Sequence, residues 1–385
     1  MSLPNTDRLD VVSLSATVYR APIERPVRTA LGTMTDRPAV VLQAEDRDGA
    51  IGFGEIWCNF PTCGAEHRAR LVETFLAPLV LERAWDGPTQ AFGELSRRAH
   101  RLALQAGEPG PLAQAIAGID IALWDLAARR AGEPLWRMLG GTGDGRLSAY
   151  ASGIDPDRAA AQALEARAAG FSAYKLKIGF GREVDLGNLR SLREALGAEA
   201  PVAVDANQAW DLASAVEMAG TLEVYRPMWL EEPLAADAPL HEWRHLAATS
   251  PIPLAAGENL RGEAGFDEAV GSGALKVIQP DVAKWGGITG CLPLARRIVA
   301  AGLRYCPHWL GGGIGLLASA HLLAAAGGDG LLEVDSNPNP LRERLAMPFP
   351  ALEDGRLVLP DRPGLGVAPD PEMERLAVAS FRSTA

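Results

Sequence analysis

From residue 146 onward the chain repeats one unit: a short β-rich run, a turn, then an amphipathic helical stretch. The strand candidates are LSAYASG, SAYKLKIG, PVAVDAN, MWLEEP, PLAAGE, LKVIQPD, LRYCPH and GLLEVD. Helical segments such as PDRAAAQALEARAAG, DLGNLRSLREALG, DLASAVEMAGTLEVY and TGCLPLARRIVAAG fall between them. Parallel strands need crossover helices, and eight evenly spaced units favour closure into a (β/α)8 barrel over an open, doubly wound sheet.

The residues before this repeat have a different rhythm. LDVVSLSATVYR alternates, PAVVLQAED is β-rich, and DRDGAIGFGEIW carries an Asp-Gly turn signal before another strand. EHRARLVETFLAPLVLER, TQAFGELSRRAHRLAL and GPLAQAIAGIDIALWDLAARRAGEPLWRMLGG then have helical spacing. Residues 1–140 therefore read as an α+β domain and 141–345 as the barrel. The Pro/Gly-rich tail, 346–385, cannot be another barrel unit and is expected to pack back on the first domain.

One polar group closes almost every barrel strand. Lys175 and Lys177 lie on the second, Asp205 and Asn207 on the third, Glu231 and Glu232 on the fourth, and Glu258 on the fifth. Asp281 ends the sixth, His308 the seventh and Glu333 the eighth. Successive members are roughly 23–28 residues apart, about one βα unit. Strand ends of a barrel converge on one mouth, so the series reads as an active site.

Charge chemistry then suggests roles. Asp205, Glu231 and Glu258, from adjacent strands, cannot all stay ionised at one place without a cation, and an all-carboxylate set suits Mg²⁺ better than zinc. The competing reading is a set of structural salt bridges with nearby Lys and Arg. Lys175 and Lys177 point the same way from their strand. Beside a cation, Lys177 is expected to have a lowered pKa and to act as a base, with Lys175 as its charged neighbour beside Glu232. Asp281 next to His308 would fix the imidazole tautomer and make a second acid/base group. Glu333 could hydrogen-bond an enolate oxygen if it stays protonated. Asn207, Glu232 and Lys284 would support these groups from behind. GGGIG (311–315) reads either as a phosphate loop or as close loop–helix packing.

The ordered set KLK, VDAN, WLEEP, GEN, PDVAKWGG and PH resembles the enolase superfamily, and more narrowly its mandelate racemase subgroup. AIAGIDIALWDLAARRAGEPLWRMLGG and PGLGV are similar to that family's segments entering the barrel and closing the chain. The resemblance implies a capping domain over a modified (β/α)7β barrel. It also implies Mg²⁺ on Asp205, Glu231 and Glu258, Lys177 as base, and an Asp281/His308 dyad. Asp281 stands where the muconate cycloisomerase and dipeptide epimerase branch would have lysine.

The expected reaction is abstraction of a proton α to a carboxylate through an enediolate. Dehydration of a sugar-derived acid is favoured, because the segments expected to form the lid carry polar Arg25, Arg28 and Asn59 beside Trp57 and Phe60, with Trp309 nearby. Racemisation, epimerisation and cycloisomerisation are the alternatives. A Schiff-base lyase using Lys177 is the rival from another class.

The formal charge of −11 argues against nucleic acid as a partner, and a small carboxylate is the expected one. Cys58, Cys63, Cys291 and Cys306 form no CxxC pair, so neither zinc nor a disulfide framework is expected. No signal peptide or membrane span is read, so the expected setting is cytoplasmic, with no membrane partner. Homo-oligomerisation is the default for such barrels.

Overall fold

The structure is a computed structural model that describes residues 3–29 and 32–385, the side chains of Arg28 and Thr29 excepted. Its first sheet is an antiparallel meander of β1 (Val11–Thr29), β2 (Gly32–Asp46) and β3 (Ile51–Ile56). The turn between β2 and β3 is built by Asp46, whose Oδ1 accepts from the amides of Asp48 and Ala50. Gly49 there takes the left-handed φ of 82° that a side chain would resist.

β3 lies directly on the helix Pro109–Ala131. A Cβ on Gly54 would come within 2.1 Å of the Gly118 carbonyl oxygen, so strand and helix backbones touch without side chains between them. That helix is long and apolar enough to cross a membrane, but most of it is buried inside the fold. It is apolar all round because it serves two cores. Ile119, Ala122, Leu123 and Leu126 pack with the first sheet and its helices, while Ile121, Trp124 and Ala128 pack with the barrel.

The barrel strands are β4 (Arg146–Ile154), β5 (Tyr174–Lys177), β6 (Val202–Asp205), β7 (Leu230–Glu231), β8 (Leu254–Ala256), β9 (Leu275–Ile278), β10 (Arg304–Tyr305) and β11 (Leu332–Asp335). They run parallel in sequence order from β4 to β10, and β11 returns to pair with β4. Seven connecting helices, from Ala159–Ala168 to Gly313–Ala326, give the (β/α)7β form rather than a full eightfold repeat. Between β10 and β11 no backbone ladder forms among the described residues. That seam is crossed by the Leu331 amide donating to Cys306 Sγ and the Trp309 amide donating to Glu333 Oε2.

The tail divides its contacts. A hairpin of β12 (Leu352–Glu353) and β13 (Arg356–Val358) pairs with the N-terminal half of β4, while β14 (Ala377–Thr384) adds to β1 as an edge strand of the first sheet. Sheet and barrel are fastened by buried polar contacts. Asp120 accepts from the amide and hydroxyl of Thr289 at the start of helix Gly287–Ala300, and Arg37 on β2 pairs with Asp335 at the end of β11. His321 is structural: its Nδ1 accepts from the Trp136 amide at 3.0 Å and its Nε2 faces the Leu365 carbonyl at 3.3 Å.

Candidate active site

Parallel register aligns the strand-end residues. Lys177 on β5 is paired with Asp205 on β6, and Asp205 with Glu231 on β7. Lys175 and Lys177 share a face, one pleat apart. Lys177 Nζ donates to Asp205 Oδ2 at 2.5 Å and to Asn207 Oδ1 at 2.8 Å. Asn207 adopts a left-handed φ of 45°, and its amide caps Asp205 Oδ1 at 2.8 Å.

Lys175 sits deeper, 1% exposed, 2.5 Å from Glu231 Oε1, 2.7 Å from Glu333 Oε1 and over the Tyr150 ring. The expected Lys175–Glu232 pairing is not formed. Strand alternation turns Glu231 inward, whereas Glu232, at a φ of 39°, leaves the strand and accepts from Asn259 Nδ2 at 3.0 Å. Glu231 is further held by Trp229 Nε1 and Gln279 Nε2.

His308 lies just past β10. Its Nδ1 is 2.7 Å from Asp281 Oδ2, and its Nε2 is 2.6 Å from Glu258 Oε2. Lys284 Nζ donates to Glu258 and Asn259 from above the Trp57 ring. Among the described residues no three His, Cys, Asp or Glu side chains converge as a ready cage, because each acid is turned to a protein cation or donor.

Burial and charge set the protonation. Burial pulls the Lys177 ammonium down, but Asp205 and the neighbouring glutamates outweigh it and hold the group above the ordinary lysine value. Crowded carboxylates favour the charged form, whereas the lowered value expected for Lys177 belongs to a site in which a cation shares those acids. His308 follows the same balance, with burial opposing and Glu258 and Glu333 raising it to about 10. Burial raises Glu231 to about 7 and, with Glu258 and Asp205 close by, Glu232 to about 8.

Glu333 is opposed by burial but pulled down to about 2 by Lys175 and His308. It is therefore a carboxylate, and both oxygens already accept, from Ser152 Oγ, Lys175 and the Trp309 amide. The expectation of a protonated Glu333 is corrected by these cations.

A cavity of about 250 Å³ is lined by Lys177, Asn207, Glu258, Asn259, Lys284 and His308 on the barrel side. Trp57, Asn59, Phe60, Gln114, Arg261 and Leu310 complete the wall. Arg25 is elsewhere, in a separate depression with Asp155, Arg158 and Arg342. The Arg28 side chain lies outside the described residues. Trp309 does not line the cavity: it is 2% exposed, and its Nε1 donates to the Gly312 carbonyl. Gln114 and Asn259 escaped the sequence reading, although Asn259 follows Glu258 within GEN and Gln114 is a lone amide in an apolar helical run.

A capped (β/α)7β barrel whose strand ends gather two lysines, several acids and an Asp–His pair defines an enzyme of the enolase type. The chain matches the mandelate racemase/muconate lactonizing enzyme N-terminal domain over residues 13–140 and the enolase C-terminal domain-like family over 158–373. It therefore belongs to the mandelate racemase/muconate lactonizing enzyme family of the enolase superfamily and is a lyase or an isomerase.

Three relatives frame it. D-galactarolactone cycloisomerase of Agrobacterium fabrum is 31% identical, covering 94% of this chain and 95% of the relative. The crystal structure of a mandelate racemase/muconate lactonizing enzyme from Bordetella bronchiseptica RB50 is 54% identical with a TM-score of 0.90, covering 96% of this chain and all of that one. L-talarate/galactarate dehydratase from Salmonella typhimurium LT2, solved with Mg and L-lyxarohydroxamate, is 27% identical with a TM-score of 0.87, covering 99% and 95%.

Proposed function

We propose that the protein dehydrates a sugar-derived acid after Mg²⁺-dependent removal of the proton α to its carboxylate. The observation that carries this reading is that Lys177 and His308, from the second and seventh barrel strands, line one small cavity, each with its nitrogen on a strand-end carboxylate, Asp205 and Glu258 respectively. Asn59, Gln114, Arg261 and Lys284 stand in its wall beside Trp57, Phe60 and Leu310, and these four polar groups suit a hydroxylated substrate.

The donor set fits a hard divalent cation. Asp205 and Glu231 are register-paired ends of adjacent strands and Glu258 follows the next, so every candidate ligand atom is a carboxylate oxygen. Asp205, Glu231 and Glu258 would hold Mg²⁺, with Asn207, Glu232 and Lys284 steadying them. When bound, the ion supplies Lewis acidity to the substrate carboxylate and spreads the charge that develops as the α proton leaves.

The remaining work falls to side chains of the chain itself. Lys175, kept charged by Glu231 and Glu333, offers a fixed cation to the enediolate oxygen. Lys177, released from Asp205 once that acid is shared with a cation, takes the α proton on one side. Asp281 holds the Nδ1 proton of His308 and leaves Nε2 to deliver a proton to the departing β-hydroxyl. In the same proposal residues 1–140 form the cap, 141–345 the barrel and 346–385 the return segment, in a homo-oligomer.

Cycloisomerisation of an acid-sugar lactone is the second reading, favoured by the A. fabrum relative that matches along nearly the whole chain. The test is incubation with Mg²⁺ in D₂O of galactarate, D-galactonate, arabinonate and galactarolactone. Dehydration predicts an α-keto, β-deoxy product, whereas cycloisomerisation predicts consumption of the lactone without loss of water. Activity that survives EDTA, with borohydride trapping of Lys177, would replace both with the Schiff-base lyase.

A further inference from the structure

The glycine-rich GGGIG segment does hold an anion, and that anion belongs to the chain. Glu55, the penultimate residue of β3 and 1% exposed, crosses from the cap to the barrel. It accepts from the Gly312 amide at 2.5 Å and the Gly315 amide at 2.8 Å, in the first turn of helix Gly313–Ala326.

The glycines make room for two side chains. A Cβ on Gly312 would lie 2.6 Å from Glu55 Oε1, and one on Gly311 or Gly315 would lie 2.4 or 2.2 Å from the Trp309 ring. The turn that follows His308 is pinned along its length. Trp309 N donates to Glu333, Asn59 Nδ2 from the cap donates to the Leu310 carbonyl, Asn339 Nδ2 donates to the Gly311 carbonyl, and Trp309 Nε1 donates to the Gly312 carbonyl.

We propose that Glu55 is a positioning residue: by seating its carboxylate on the Gly312–Gly315 turn, it fixes Trp309 and Leu310 and thereby the orientation of the His308 ring against Asp281 and the cavity. The imidazole side of the site then depends on docking of the cap. The Lys177 side, carried on β5 with Asp205 and Asn207, has no such tie to Glu55. The proposal rests on the reading of His308 as a proton carrier, but its test needs no turnover.

Histidine ring resonances are recorded at one fixed pH on the full-length, Mg²⁺-loaded enzyme containing isotope-labelled histidine, with His308→Asn and His321→Gln used for assignment. The expected result is that the His308 signals shift or split in Glu55→Gln and in Gly312→Ala, while those of His321, further along the helix whose start Glu55 meets, hold their positions. Gly312→Ala displaces the carboxylate without removing it and decides the matter alone if Glu55→Gln does not fold. Unmoved His308 signals, joint movement of His308 and His321, or loss of the folded spectrum in both variants would overturn the proposal. Wild-type enzyme inert toward every acid sugar would instead overturn the functional reading and leave the spectra to decide this one.

Discussion

Asp281 and His308, carried at the ends of neighbouring strands, meet at 2.7 Å between Oδ2 and Nδ1. The other Asp281 oxygen accepts from the amides of Ala283 and Lys284, a task an asparagine carbonyl can keep. Asp281→Asn should therefore fold normally yet present an amide N–H to the ring and force the wrong tautomer. Steady-state turnover is expected to fall about 10²–10⁴-fold, with little change in melting temperature.

Magnesium should stabilise the fold through the strand-end acids. At about 100 times its dissociation constant, a ligand that binds only the native state contributes about 2.7 kcal/mol. Differential scanning fluorimetry should show a rise in melting temperature with Mg²⁺ that EDTA removes. Asp205→Asn and Glu258→Gln should lose that rise. An equal rise in both variants would move the ion away from these acids.

His321 makes the protein acid-sensitive away from the active site. Burial lowers its pKa to about 4 in the folded state, against 6.5 for the free side chain. The unfolded chain therefore takes up the proton first, so the stability is present in full above the unfolded value and is lost as the pH falls toward the folded one. The difference amounts to about 3 kcal/mol. Urea unfolding between about pH 7 and about pH 4.5 should show a smaller loss of stability in His321→Gln than in the wild type.

Glycine has opposite meanings at two positions. Gly54→Ala would drive a methyl into the Gly118 carbonyl on the helix that joins the two cores, and should cost about 1–3 kcal/mol. Gly187, exposed in helix Arg182–Leu196 with nothing near its would-be Cβ, should gain about 0.5–1 kcal/mol on change to alanine. Chemical denaturation of the two variants checks both signs.

The barrel was legible because its strands are short, β-rich and spaced by one crossover, and each of the eight expected runs overlaps an observed strand. The long helix was legible too, but not the reason for its all-round apolarity, since the second core it serves is remote in sequence. Lys175, Lys177, Asp205, Asp281 and His308 could be brought together on strand periodicity alone. Partner choice could not. LEEP contains two adjacent glutamates, and only the backbone turn at Glu232 decides which one meets Lys175.

The ionisation of Glu333 depends on cations from two other strands, which no local pattern encodes. Trp309 looks like a cavity wall in sequence, yet two glycines nearby, Gly311 and Gly315, create the slot that buries it. Arg25 lies on a long β1 strand whose path past the barrel mouth is set by the docked cap, so its distance from Lys177 was not readable.

The central claim is that one divalent ion is held by Asp205, Glu231 and Glu258 between Lys177 and His308. Crystals soaked in Mn²⁺, examined by anomalous diffraction, test it most directly. The account predicts a single peak with those three carboxylates on it, and with Lys177 and His308 each freed from its acid. A peak elsewhere, or one on Asp205, Glu232 and Glu258 with Glu231 still on Lys175, would contradict it.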